Sequence, residues 1–241
     1  MIRFENVSKV FGQGATQVDV LKNLTFTVPE GQFCAVMGPS GSGKSTILHL
    51  AAGLTPLTAG EVTVDETRLS AMTDRDAALF RRRKIGIVFQ FFHLLPYLTA
   101  EENVALPLLL DGCPSATIAE STGRVLRLVE LLDRRHHKPS ELSGGQLQRA
   151  AIARALVTRP RVILADEPTG NLDSNASAGI MQLLRRSNQE LGVTILMVTH
   201  DPVCASYGQR VIRVMDGRIV EDIDVGETPP RLSLVRPAGG A

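Results

Sequence analysis

Gly38-Pro39-Ser40-Gly41-Ser42-Gly43-Lys44-Ser45 fits the pattern GxxxxGK[ST] and lies between an apolar run, Phe33–Met37, and a helical stretch from Lys44 to about Ala52, closed by Gly53. The pattern asks for a buried strand that turns into a helix through a loop whose backbone N–H groups face one anion. Glycines let the backbone curl into that nest, and the helix adds its positive end. On this reading Lys44 reaches the β- and γ-phosphates of a nucleotide and the Ser45 hydroxyl ligates Mg²⁺. Accidental matches occur in about one chain of this length per hundred, but the flanking strand and helix are the context the motif demands. A dinucleotide-binding GxGxxG is not supported, because Thr46 stands where its third glycine would be.

Three further polar groups follow apolar runs directly. Val162–Ala165 ends in Asp166-Glu167, Ile85–Phe89 in Gln90, and Thr194–Thr199 in His200. Beside a phosphate loop, Asp166 is expected to hold Mg²⁺ through water and Glu167 to polarise the attacking water. Alone, each of these is an ordinary polar strand end. Together with Gly38 they mark four strand termini, and open α/β sheets bind ligands at that edge. Farther along, Leu142-Ser143-Gly144-Gly145-Gln146 precedes a helix rich in Ala, Ile and Leu. Ser143 suits its N-cap, and the glycines bare N–H groups at its positive end, which makes a second anion site.

Around these motifs the pattern is α/β. Ile2–Phe4 and Leu24–Val28 read as strands, with Glu61–Val64 and Thr67–Leu69 as a small hairpin about Asp65-Glu66. From about 91 to 156 helices and loops take over. Thr99-Ala100-Glu101-Glu102 is a capping box opening a helix that Pro107 should end or kink. Residues Ser115 to Leu132 form an amphipathic helix with Ile118, Val125, Leu128, Val129 and Leu132 on one face. Strands return at Val162, Val193 and Val211–Val220, with a helix around Ala178–Glu190 between them.

These motifs, in this order, resemble the nucleotide-binding domain of an ABC transporter over about residues 1–225. The resemblance identifies Gln90 as the Q-loop, 142–146 as the signature, Asn171-Leu172-Asp173 as the D-loop and His200 as the switch. It implies an α/β P-loop NTPase core (about 1–90 and 157–225) with an antiparallel β subdomain, a helical subdomain over about 91–156, and a loose tail at 226–241. ATP and Mg²⁺ are the implied cofactors, with Gln90 joining Ser45 and Asp166 at the metal. Each ATP would lie between one subunit's phosphate loop and the signature (Ser143, Gly144, Gly145, Gln146) of a second subunit in a homodimer. Phe11 stands where the family commonly stacks a Tyr on adenine, and Phe keeps the stacking face. The string from Met37 to Thr46, Phe89-Gln90-Phe91-Phe92-His93-Leu94-Leu95-Pro96, and Ala165 to Asp173 look like the macrolide-export, lipoprotein-release and cell-division branch. That branch implies an integral-membrane permease subunit as partner, with this chain cytoplasmic and peripheral on the inner face of the membrane.

Other features point elsewhere or nowhere. A net charge of +1 argues against nucleic-acid partners. The stretch between Ser45 and Ser143 is too short for the coiled coil of DNA-repair relatives, and one such domain per chain is unlike the ribosome-associated ones. The complete Lys44, Ser45, Asp166, Glu167 and His200 set argues against a catalytically dead regulator. Ser45–Gly60 and Ile85–Ala100 lack Asp, Glu, Lys and Arg, yet their Pro, Thr, His and Gln argue against membrane spans. The acid at Glu5 argues against a signal peptide. Three cysteines without a CxxC suit a reducing compartment, Cys34 as core packing. Arg81-Arg82-Arg83-Lys84 reads as a solvated helix end, His136-His137 as too sparse for a metal, and Arg149 and Arg154 as surface or interdomain pairs.

Overall fold

The structure, a computed structural model, describes residues 1–226, so the tail read over 226–241 lies almost wholly outside the described residues. Its centre is a six-stranded sheet in the order β10-β9-β3-β8-β7-β6. The strands are β3 (Phe33–Met37), β6 (Ile85–Val88), β7 (Val162–Asp166), β8 (Thr194–Thr199), β9 (Arg210–Met215) and β10 (Arg218–Asp224). The first five run parallel, and β10 closes the edge antiparallel to β9.

The compact apolar runs make physical sense once both sheet faces are covered. Along β3, Phe33, Ala35 and Met37 pack into one core while Cys34 and Val36 pack into the other. β7 and β8 divide the same way: Ile163, Ala165, Ile195 and Met197 face one side, Val162, Leu164, Leu196 and Val198 the other. The first side is covered by α5 (Gly144–Leu156) and α6 (Ser174–Leu191), with α3 (Ala100–Leu110) and α4 (Ser115–Leu128) packed around α5. α1 (Lys44–Ala51) covers the second, together with an antiparallel sheet of β2 (Val18–Val28), β1 (Ile2–Phe11), β4 (Ala59–Val64) and β5 (Thr67–Arg68), in that order. Cys34 is fully buried, and desolvation pushes its thiol up to about 12.

Several boundaries differ from the sequence-based expectation. β1 (Ile2–Phe11) and β2 (Val18–Val28) are far longer than the short runs at Ile2 and Leu24, and they pair with register shifts. Asn6 and Asn23, at φ 51° and 54°, sit in the left-handed region beside those shifts, which break the apolar alternation. In the four-stranded sheet, β4 (Ala59–Val64) and β5 (Thr67–Arg68) are the expected hairpin. α3 opens with the Thr99–Glu102 capping box but runs through Pro107 to Leu110, held by packing against α4 and α5. α4 stops at Leu128, because Glu130 turns left-handed at φ 58° and Leu131 dives into the core.

The basic run ending α2 (Asp74–Lys84) is tied down rather than merely solvated. Arg81 donates to Gly53 O, Arg82 to Leu110 O, Arg83 pairs with Asp111 and Lys84 with Asp65. These contacts fasten α2 to the ends of α1 and α3. Among the described residues, no helix is long and apolar enough to cross a membrane.

Candidate functional site

Because β3, β6, β7 and β8 are parallel, their carboxyl ends reach one edge of the sheet, and all four strand-end groups arrive there. Between them lies an open cavity of about 720 Å³ lined by Pro39–Gly41, Gly43–Thr46, Val20, Gln90, Glu167 and His200. Its size lies within the range of small-molecule sites.

The phosphate loop is built by its glycines. Gly43 caps α1 at φ +98°, and a Cβ there would crowd Val20 O at 3.0 Å and the Leu21 side chain at 2.6 Å, so any larger residue would be strained. The Lys44 ammonium donates to Gly38 O and Pro39 O at 2.8 Å each, folded onto the rim of its own loop. The Ser45 hydroxyl donates to Asp166 Oδ1 at 3.1 Å. Burial raises the Asp166 carboxyl above its ordinary range, while the Ser45 hydrogen bond pulls it partly back.

Glu167 is held on several sides. Its backbone takes φ 44°, its N–H donates to Val198 O at 3.0 Å, and its carbonyl accepts from Gly170 N–H. The carboxylate meets His200, with Oε1 2.9 Å from Nδ1. A non-glycine residue in the left-handed region costs stability and persists only where its surroundings fix it. Here the strained turn re-aims the side chain after β7 from the sheet interior to the cavity.

Gln90 lies across the cavity, its side chain against Gly170, where a Cβ would approach Nε2 to 2.7 Å. Asn171 Nδ2 donates to Gln90 O at 3.0 Å. The donor set fits the expected groups: an N–H nest and a lysine for phosphates, and a hydroxyl, an amide and a carboxylate for Mg²⁺, which takes few protein ligands beside substrate oxygens and water. Ser45, Asp166 and Gln90 would hold that ion.

Two expected residue sets stand apart from the cavity. Ser143 caps α5 through a reciprocal capping box: its hydroxyl accepts from Gln146 N–H, and Gln146 Oε1 accepts from Ser143 N–H at 2.9 Å. Gly144 and Gly145 pack instead against Leu172 and Ala176. Phe11 is 44% exposed with the Lys9 ammonium 4.5 Å over its ring, and Val20 is the nearby β-subdomain residue that lines the cavity.

The structure adds residues that the sequence reading passed over. Gln148, fully buried on α5, donates from Nε2 to Pro168 O at 2.8 Å and to Phe89 O at 3.3 Å. A signal for it existed: Gln148, Ile152 and Ala155 share one helical face, and a polar residue at a core position needs a partner. Cys204, in α7 (Pro202–Ala205), bridges Thr169 Oγ1 at 3.1 Å and Asp201 Oδ2 at 3.3 Å, behind Glu167 and His200. Burial pushes its thiol up to about 11, so it serves as a packing link and not as a nucleophile.

Comparison with known proteins identifies the family. The family model described as ABC transporter matches residues 21–170. A lipoprotein-releasing system ATP-binding protein, LolD, of Geobacter metallireducens is 46% identical over 222 residues, covering 92% of this chain and 99% of that protein. An uncharacterized ABC transporter ATP-binding protein of Methanocaldococcus jannaschii is 46% identical, covering 93% of this chain and all of that one. Among solved structures, a dimeric post-hydrolysis state of the ATP-binding cassette MJ0796 bound to ADP and Pi superposes with a TM-score of 0.86. It is 42% identical and covers 93% of this chain and 99% of that one. The family model and these relatives show that the chain belongs to the ABC transporter family, as an ATPase cassette.

Proposed function

We propose that two copies of this chain face head to tail, hydrolyse ATP between them, and drive a separate integral-membrane subunit of the export or lipoprotein-release type. The observation that carries the paired arrangement is the distance in function between two helix N-termini: the one at Lys44 opens on the cavity, and the one at Ser143 does not line it. Each is built to meet an anion. A second copy would bring its Ser143–Gln146 end to the open side of the cavity, and the solved relative described as dimeric supports that reading.

In this arrangement Phe11 stacks on adenine, and the backbone from Gly38 to Thr46 and the Lys44 ammonium hold the phosphates. Glu167 accepts a proton from the attacking water while His200 fixes its carboxylate and faces the γ-phosphate. Mg²⁺ held by Ser45, Gln90 and Asp166 would offset phosphate charge. Water is excluded when the second subunit closes the cavity.

The membrane partner is expected next to Gln90. Phe91 and Tyr97 are 65% and 87% exposed, whereas Leu94 packs inward on the core. Phe92 and His93 are both left-handed, and the Arg154 guanidinium donates to both of their carbonyls. Beside them runs a groove lined by Ile85, Ile87, Phe89 and Pro107 together with Arg81, Arg82 and Arg154. A lining of apolar side chains and guanidiniums suits a short amphipathic helix carrying an acid. The chain is thus cytoplasmic and bound to the inner membrane face through that helix. A photoreactive group in place of Tyr97 should label the permease in the assembled complex. Labelling confined to the same chain would refute this docking site.

A further inference from the structure

α5 joins the signature to the catalytic loops through one side chain. From the Ser143 cap, Gln148 lies about 7.5 Å along the axis at 1.5 Å per residue. It is 0% exposed, and its two amide hydrogens serve two backbone carbonyls from different strand-end loops. Phe89 immediately precedes Gln90, and Pro168 immediately follows Glu167. Two acceptors on one end of the amide fix its orientation, since the flipped amide would set oxygen against oxygen. Gln148 Oε1 is left buried with no partner. A Leu or Met would fill the same space without that orphan, so packing alone does not call for an amide.

The two loops are also joined on their exposed side, where Asn171 Nδ2 donates to Gln90 O and the Gln90 side chain rests on Gly170. The loops that present Gln90 and Glu167 are therefore clamped between two amides. The inner amide rides on the helix whose first turn is the signature.

We infer that Gln148 is a positioning residue that transmits the placement of the signature helix to Gln90 and Glu167 of the same chain. Resting on the head-to-tail reading, this means that nucleotide bound at one composite site sets the geometry of the other. Because Nε2 is hydrogen-bonded to Phe89 O at 3.3 Å and Pro168 O at 2.8 Å, a shift of α5 acts on the Gln90 and Glu167 loops through these two bonds. Sub-ångström placement matters here because a misplacement of about 1 Å at a reacting centre can cost about 10²-fold in rate.

The test is steady-state ATP hydrolysis by the full chain carrying Gln148→Met, which keeps volume and burial but loses both hydrogen bonds. The expected result is kcat lowered at least about fivefold with KM for ATP within about twofold of wild type, the pattern of an interaction made mainly in the transition state. A smaller fall in kcat, or a rise in KM matching the fall, overturns the inference, even if the variant melts at a lower temperature. If Gln148→Met does not fold, Gln148→Leu, which also loses both hydrogen bonds, is read in its place by the same two criteria. A wild-type chain without ATPase activity would overturn the parent reading and this inference together. An active wild type matched by the variant overturns the inference alone.

Discussion

Glu167→Gln is expected to slow ATP hydrolysis by about 10²-fold or more while leaving ATP binding intact, the scale of removing a general base. The substitution suits the geometry, because the amide keeps the size of the carboxylate and can still meet His200 Nδ1, 2.9 Å from Oε1 in the wild type. The backbone holding the residue at φ 44°, through Val198 O and Gly170 N–H, is untouched. Only the proton-accepting capacity is lost. Nothing at Lys44, Ser45 or Asp166 changes, so phosphates and metal are held as before. With binding intact and turnover blocked, an ATP-bound dimer should accumulate and elute earlier on gel filtration than the nucleotide-free chain. Wild-type turnover in this variant would remove Glu167 from the mechanism.

The second large effect is recovery of activity from two inactive proteins. Lys44→Ala removes the ammonium at the phosphate loop, and Ser143→Arg obstructs the first turn of α5. Alone, each variant should form dimers with both composite sites damaged and little ATPase activity. In a mixed dimer both lesions fall in one composite site and the other is intact. An equal mixture that exchanges freely should regain about a quarter of wild-type activity, since half the dimers are mixed and each has one good site. If exchange is demonstrated and no activity returns, a site complete within one chain, or strict coupling of the two sites, becomes the better reading.

The cavity was legible in the sequence because a strand buried on both faces leaves an abrupt edge. Apolar runs such as Val162–Ala165 and Ile195–Val198 give way within one residue to Asp166-Glu167 and, after Thr199, to His200, and a parallel sheet sends every such end the same way. The antiparallel sheet was harder to read, because the shifts around Asn6 and Asn23 interrupt the alternation that marks a half-buried strand. Of the two expectations at Pro107, an end or a kink, the end did not occur, because local propensity is weaker than the packing of α3 on α4 and α5. The clamp at Gln148 depends on which carbonyls approach an amide across the fold. Spacing along the chain records only that a polar residue occupies a buried helical position.

The place of β3 in the sheet also has a consequence for how the protein is made. Its two neighbours, β8 and β9, come from the last quarter of the described chain, although β3 itself is synthesised early. At about 5–20 residues per second, roughly ten to thirty-five seconds separate the emergence of Met37 from that of Met215 on the ribosome. During that interval the phosphate loop stays anchored to an unpaired strand, and the antiparallel sheet of β1, β2 and β4 lacks the β7, β8 and β9 side chains that share its core. Nascent chains stalled before Thr194 should therefore fail to retain ATP, even though the complete Gly38–Ser45 motif has long left the exit tunnel. The exposed edges of β3 make this same interval the one in which chaperones have most to bind.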